Sequence, residues 1–218
     1  MRTLSHDEAR RVYDRIGAKQ DTQAFYEDVA TRKLVAHSNF GSAESVFEFG
    51  CGTGRFAEGL LREHLGAEAR YRGIDLSETM VGLATIRLAE FGERAAVRLT
   101  EGGPPASELA DSCDRFVSNF VFDLLSNEDI AAVITEAHRM LRPGGLICLS
   151  SLSPGHGPLS RGVIRVWSWI HRLEPRLVGG CRAVDLAAFL EDGRWKLRHR
   201  LAEAPFGLPL EVVIAERT

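Results

Sequence analysis

Long apolar runs, paired cysteines and a surplus of positive charge are all missing from this chain, and each absence removes a class of function. No unbroken apolar stretch is long enough to cross a bilayer, and no basic-then-apolar leader opens the chain, so neither a spanning helix nor export by that route is expected. The four cysteines, Cys51, Cys113, Cys148 and Cys181, are widely spaced. They form no C-x-x-C pair and have no histidine partner at ligand spacing, which argues against a metal site or a disulfide framework and fits reduced thiols in a cytoplasm. A net charge of −3 gives no global basic field, so nucleic acid is not an expected partner. What remains is an ordinary soluble composition, 44% hydrophobic and 26% charged over 218 residues, enough for one domain of generous size.

One stretch organises the rest. Val46 to Phe56 reads V-F-E-F-G-C-G-T-G-R-F. Its first four residues predict a short buried strand, and Gly50, Gly52 and Gly54 then turn the chain into a helix beginning near Arg55. A strand, a glycine turn and a helix N-terminus make a nucleotide-type crevice at the C-terminal edge of a sheet. The glycines run G-x-G-x-G rather than the G-x-G-x-x-G of a dinucleotide clamp. Glu48, just before the turn, would repel phosphates but suits a ligand with ammonium or sulfonium charge. The plainer reading is a glycine turn that only packs a helix on a sheet, and the downstream residues weigh against it.

The stretch from Glu48 to Gly54 resembles motif I of the class I S-adenosylmethionine-dependent methyltransferases, in which an acidic residue precedes a G-x-G-x-G turn around the methionine part of the cofactor. A second strand, Arg70 to Ile74, ends at Asp75, where a carboxylate can accept hydrogen bonds from two ribose hydroxyls. At a strand tip rather than in the core, Asp75 is expected to be replaceable with the fold retained. Gly73 to Met80 resembles the second family motif, whose residues after the aspartate help to cover the adenine, and Ser77 reads as the N-cap of the next helix. A third strand, Ala96 to Thr100, leads into Glu101, Gly102 and Gly103. There the family usually carries Gly-Asp, and Gly103 stands in place of the aspartate that takes the adenine amino group. Backbone groups or Glu101 would have to replace it. The fourth strand, about Asp114 to Ser118, opens into N-F-V-F-D and sets Asn119 and Phe120 across the crevice. It lacks the Asn-Pro-Pro-aromatic signature of enzymes acting on nucleobase amines or glutamine. Leu141 to Gly145, L-R-P-G-G, matches a further landmark between the helix Asn127 to Leu141 and a fifth strand, Leu146 to Ser150. The resemblance implies cofactor contacts from Glu48, Gly50, Cys51, Gly52, Gly54, Asp75, Leu76, Met80, Gly102, Gly103, Asn119 and Phe120.

Residues 1–40 read as an N-terminal helical cap before the domain of residues 41–218. Tyr13, Lys19, Gln20, Gln23 and Tyr26 cluster around a break at Gly17, which makes Tyr13, Lys19 and Gln20 candidates for a lid, against the alternative of a solvated helix pair. Residues 152–180 form a substrate-side insertion. Projected on a helix, Arg161 to Leu177 puts Val166, Ile170, Leu173 and Leu177 on one side and Arg161, Arg165, Arg172 and Arg176 on the other. The plainer reading packs the apolar side on the domain. The sharper one, with Trp167 and Trp169 beside the arginines, is a peripheral contact with anionic lipid or an anionic substrate. A last helix is expected over Arg182 to Leu190. The strands Arg194 to Ala202 and Leu210 to Glu216 are joined by a link too short for a crossover and must be antiparallel. The whole predicts an α/β fold: a three-layer, Rossmann-like, seven-stranded sheet, mostly parallel, with an antiparallel C-terminal hairpin strand.

The function this implies is methyl transfer from S-adenosyl-L-methionine to a small-molecule or lipid-like acceptor, in a cytoplasmic protein whose layout looks closest to the mixed group that includes the quinone-biosynthesis methyltransferases. No metal is called for. If the acceptor must lose a proton, Asp123, His156 and Tyr26 are the candidate bases. Two other classes fit the same crevice. A nicotinamide-dependent oxidoreductase is disfavoured by the glycine spacing and Glu48. A catalytically silent S-adenosylmethionine-binding or scaffold protein is disfavoured by intact Glu48, Gly50, Gly52 and Asp75, while Gly103 leaves it open.

Overall fold

Alternation in the strand before the glycine turn feeds two cores at once. β1 (Ser45–Phe49) sends Phe47 and Phe49 into one apolar cluster and Val46 into the other, as a strand buried on both faces does. It runs parallel to β2 (Arg70–Asp75) on one side and β4 (Cys113–Asn119) on the other. β3 (Ala95–Leu99) continues the sheet beyond β2, and β5 (Leu141–Leu152) continues it beyond β4, both in parallel. β6 (Trp195–Glu203) and β7 (Leu210–Arg217) complete the order β3-β2-β1-β4-β5-β7-β6, with antiparallel pairings of β7 to β5 and to β6. This is the seven-stranded sheet expected from the sequence. The computed structural model describes residues 3–155, 157–174 and 178–218.

Helices cover both faces. α5 (Asn127–Met140) buries Ile130, Val133, Ile134, Ala137 and Met140 in the cluster that holds Phe47, with Leu190 and Trp195 beside them. α2 (Ala24–His37) and α3 (Arg55–Gly59, extended by a wider π-type turn over Leu60–His64) bury Ala30, Leu34, Ala57 and Leu60 in the cluster that holds Val46. α4 (Glu78–Leu88) starts on Ser77, whose Oγ accepts from the Met80 amide at 3.2 Å, so the N-cap is where the sequence puts it. α1 (His6–Ile16) opens with a capping box between Ser5 and Glu8 and ends at Gly17, from which a 3₁₀ segment, Gly17–Gln23, leads into α2.

Two expectations after β5 are corrected. α6 (Pro158–Leu173) forms, but its packed stripe is Ser160, Ile164, Trp167 and His171 rather than the apolar side projected from the sequence. Hydrogen bonds decide its rotation. Trp167 Nε1 donates to the Cys181 carbonyl at 2.8 Å, and His171 Nε2 lies 3.1 Å from the Gly180 carbonyl. Val166, Trp169 and Leu173 consequently face out, each at least 60% exposed. The projected Arg176 and Leu177 lie outside the described residues. The helix expected over Arg182 to Leu190 is only a 3₁₀ turn, Ala187–Leu190. Its upstream half is held extended, because the Val184 amide donates to the Leu152 carbonyl and the Leu186 amide to Glu211 Oε2, both at 2.9 Å.

Candidate active site

The glycine turn leaves β1 with its amides committed. Gly50 and Cys51 both donate to the Ile74 carbonyl, at 2.9 and 3.0 Å, which folds the turn back over β2. A Cβ on Gly50 would stand 2.3 Å from Val121 Cγ2, so the loop after β4 comes this close only because the residue is glycine. Gly52 has φ +52 and nothing within 4 Å of where its Cβ would be, since that direction opens into the crevice. The crevice is lined by Glu48, Gly50, Cys51, Gly52, Thr53, Asp75, Leu76, Met80, Asn119 and Phe120, among others.

Two carboxylates frame the turn. Glu48 is 2% exposed. Its Oε2 accepts from the Tyr71 hydroxyl at 2.6 Å and its Oε1 from Asn119 Nδ2 at 3.4 Å. Burial nevertheless dominates and pushes its pKa up to about 7. Asp75 is 8% exposed, and its two oxygens accept from the Gly52 amide at 2.8 Å and the Ser77 amide at 2.9 Å. Burial raises its pKa while those amides pull the other way. Asp75 therefore clamps the turn as well as lining the crevice: it ends its strand as expected, but it is buried there rather than lying outside the core.

The N-terminal segment covers this crevice, contributing Tyr13, Gln20, Asp21, Glu27 and Thr31 to its lining. Three aspartates seven residues apart fasten it. Asp14 Oδ1 accepts from Ser77 Oγ at 2.6 Å. Asp21 accepts from Thr53 Oγ1 at 2.6 Å and from Arg87 at 2.7 Å. Asp28 accepts from Arg55 at 2.7 Å. Arg10 adds a fourth tie, donating to the Leu76 carbonyl at 3.1 Å. The sequence reading missed these residues. Their spacing was the available signal, but a recurring acid on a helical segment looks like a solvated face until its partners are known.

A second cavity of about 200 Å³ adjoins the first. The two share Tyr13, Gln20, Glu27 and Phe120, while Asp123, Tyr26, Trp167 and Cys181 line only the second. Phe120 holds φ +53, an uncommon conformation for a non-glycine residue. Its amide donates to the Ser150 carbonyl at 2.9 Å, and its ring meets Tyr26 edge-on at 5.9 Å. Burial raises the pKa values of Tyr13 and Tyr26, so both phenols stay protonated near neutrality. Burial likewise pushes Glu27 and Asp123 up to about 7.

Not every residue singled out in the sequence reaches these cavities. Gly54 lies under α4, where a Cβ would stand 3.0 Å from Ala84 Cα. Gly102 and Gly103 sit beneath His6 of α1, with a Cβ on Gly102 only 2.7 Å from the imidazole. Lys19 is exposed and lines neither cavity. His156 lies outside the described residues, and the side chain of Gln23 is likewise not described.

Comparison with known proteins agrees with this geometry. A methyltransferase-domain family model matches residues 46–145. A malonyl-acyl-carrier-protein O-methyltransferase of Marinomonas sp. (strain MWYL1) is 29% identical over 147 residues, covering 67% of this chain and 52% of the relative. A ubiquinone biosynthesis O-methyltransferase of Dechloromonas aromatica (strain RCB) is 30% identical over 51% of this chain and 46% of its own length, so the chain spans about half of each of these two relatives. A demethylmenaquinone methyltransferase of Geobacillus stearothermophilus is 26% identical over 71% of this chain and 67% of its own. Among solved structures, the N-methyltransferase NodS from Bradyrhizobium japonicum WM9, in complex with S-adenosyl-L-homocysteine, superposes with TM-score 0.69 at 18% identity, over 96% of this chain and 98% of its own. The cyclase SpnF superposes with TM-score 0.74 at 11% identity, over 100% and 98%. At such identities the superpositions speak for the fold alone, and the sequence matches add that residues 46–145 match a methyltransferase domain and that the relatives named here are methyltransferases.

Proposed function

We propose that the protein transfers the methyl group of S-adenosylmethionine to a small-molecule acceptor. The observation that carries this reading is the pair Glu48 and Asp75, buried on either side of a turn whose Gly52 position opens into the crevice. The cofactor, when bound, supplies a methyl already activated by the sulfonium charge. Glu48 suits the cationic methionine end. Asp75 keeps lone pairs beside those occupied by the Gly52 and Ser77 amides, and these accept the ribose hydroxyls. Leu76 and Met80 flank the adenine, and Asn119 and Phe120 face the methyl from across the crevice. Residues 1–40 serve as the lid, through Tyr13 and Gln20. The adjoining cavity receives the acceptor, and its enclosure keeps water from the transfer.

Calorimetry with S-adenosylmethionine, S-adenosylhomocysteine and NAD tests this reading. The first two should bind and NAD should not. Tight NAD binding with no S-adenosylmethionine binding would sink it, and binding without methyl transfer to any acceptor in a product screen would favour the silent scaffold.

A peripheral contact with an anionic lipid surface is part of the same reading, and its support is the outward side of α6. There Leu159, Val166, Trp169 and Leu173 stand exposed, with Phe206 (82% exposed) nearby at the tip of the β6–β7 link. Arg161, Arg165 and Arg172 border this apolar face, all exposed and without an ion pair among the described residues. Among the described residues no helix is long and apolar enough to cross a membrane. All four cysteines are free thiols, which supports a reducing, cytoplasmic setting.

A further inference from the structure

Asp123 has a place in the second cavity that burial alone does not explain. It sits in a single 3₁₀ turn, Phe122–Leu124, at the exit of β4, and is 1% exposed. Neither carboxylate oxygen has a hydrogen-bond partner of good geometry among the described residues, the weakly donating Cys181 thiol being the side chain that comes nearest to serving as one. A buried carboxylate left this way costs several kcal/mol and usually marks a site where something else completes it. The nearest cation does not: Arg182 turns its guanidinium to the Leu125 carbonyl, at 2.9 and 2.7 Å, and to Asn127 Oδ1 at 2.8 Å. The other groups influencing Asp123 come from every element around it: Tyr13 of α1, Tyr26 and Glu27 of α2, and Cys181 of the segment after α6. The two phenols stay protonated, so neither serves as the base that takes a proton from a ligand.

The rest of the lining narrows the ligand. Ile16, Phe120, Leu152, Trp167, Val178 and Leu208 supply the apolar half of a wall whose other half is polar, and no lysine, arginine or histidine lines it among the described residues. An anionic acceptor would meet Asp123 and Glu27 with no cationic side chain in the lining among the described residues. Size sets a second limit, since an apolar cavity of about 150 Å³ takes up benzene. The cavity here is about 200 Å³, room for one substituted ring.

Building on the methyl-transfer reading, we propose that the acceptor is a neutral molecule about the size of one substituted ring, presenting an O–H or N–H to Asp123, and that Asp123 takes its proton during transfer. The acceptor's O–H or N–H bond breaks and the proton passes to a carboxylate oxygen of Asp123. The electron pair left on the heteroatom forms the new bond to the methyl carbon, and the pair of the old carbon–sulfur bond stays on the sulfonium donor's sulfur, leaving a neutral thioether. Charge balances, because a carboxylate and a sulfonium become a carboxylic acid and a thioether. A carboxyl group whose pKa lies near neutrality is well matched to such a role.

The test uses the full chain saturated with S-adenosylhomocysteine, with p-cresol and p-toluate as probes, one ring carrying either a neutral hydroxyl or a carboxylate. Calorimetry should show p-cresol binding more tightly by on the order of tenfold. Asp123→Asn should still bind S-adenosylhomocysteine and should lose most of that discrimination, because the charge that repels the anion is gone. Methyl transfer to p-cresol should fall on the order of a hundredfold or more in Asp123→Asn, and the remaining rate should lose its dependence on pH near neutrality. Equal affinity for the two probes, preference for p-toluate, binding of neither, or an unchanged rate in Asp123→Asn would each overturn the inference. The wild-type probe comparison stands even if the variant fails to fold. Failure of S-adenosylhomocysteine itself to bind would instead count against the methyl-transfer reading.

Discussion

On the proposed reading Asp75 both holds the ribose and clamps the glycine turn, and its substitution should report both. Asp75→Ala removes the acceptor for two ribose hydroxyls and should weaken cofactor binding by about 1.5 to 3 kcal/mol, at least about tenfold. It also strands the Gly52 and Ser77 amides, so a clear loss of melting temperature is expected as well. Calorimetry and thermal unfolding read the two effects separately, and full affinity in the variant would remove the ribose assignment. Gly52→Val should abolish binding more completely, because φ +52 resists a β-branched residue and the only space for its side chain is the ligand's. Retained binding in a folded variant would place the ligand elsewhere. Glu48 makes a prediction about protons. Its pKa is about 7 in the free protein, and a cation bound beside it favours the ionised form, so binding expels a proton. Affinity for S-adenosylmethionine should therefore rise from about pH 6 to about pH 8 and then level, with Glu48→Gln flattening the trend. Titration in buffers of different ionisation enthalpy counts the proton directly.

Among the elements, the N-terminal segment is tied to the walls of the crevice by side chains, and on the proposed reading these ties hold the lid closed. Asp21 bridges the glycine turn at Thr53 to Arg87 of α4, and its neighbours hold its pKa below the usual carboxylate value despite burial. Asp21→Ala should cost modest stability, about 1 kcal/mol, for a part-buried pair. It should speed cofactor release several-fold in stopped-flow measurements, and an unchanged release rate would show that this tie does not hold the segment closed. For α6, replacing Arg161, Arg165 and Arg172 with glutamine should release the protein from anionic vesicles, each arginine contributing about 1 kcal/mol near such a surface. Cofactor affinity should not change. Equal, negligible sedimentation with neutral and anionic vesicles would end the lipid reading. These two elements also show where the sequence could and could not be read. β1, β2, β4 and the helix starts at Ser77 and Arg55 were legible because glycine, a cap residue and apolar alternation act locally. The rotation of α6 was not, because two hydrogen bonds to residues 180 and 181 chose its packed stripe over the more apolar one. Placing Gly102 and Gly103 under His6 needed the tertiary position of α1, which no local pattern carries.

At the scale of the molecule, the fold alone leaves the reaction open, since a cyclase shares it at TM-score 0.74. Reading the chemistry depends on the buried acids, and these leave a mark on stability. Glu27 and Glu48 are raised from 4.5, and Asp123 from 3.8, each to about 7. Below the unfolded values the proton is held in both states. Between those values and about 7 the folded protein binds more protons than the unfolded chain, so stability falls as pH rises through that window. Melting should thus come at a lower temperature near pH 8 than near pH 5, and Asp123→Asn should lessen the difference; a stability that climbs steadily over this range would contradict the assignment.

The wall common to the two cavities ties the ligands to one another. Tyr13, Gln20, Glu27 and Phe120 belong to both, so whatever factor an acceptor contributes to cofactor affinity, the cofactor must contribute to acceptor affinity in return. With the cavities assigned as proposed, a substitution at any of these four positions should alter both affinities together. Ile16, Leu152, Trp167 and Leu208 face only the second cavity, which makes them the positions where a new acceptor can be accommodated with the cofactor's hold left as it was.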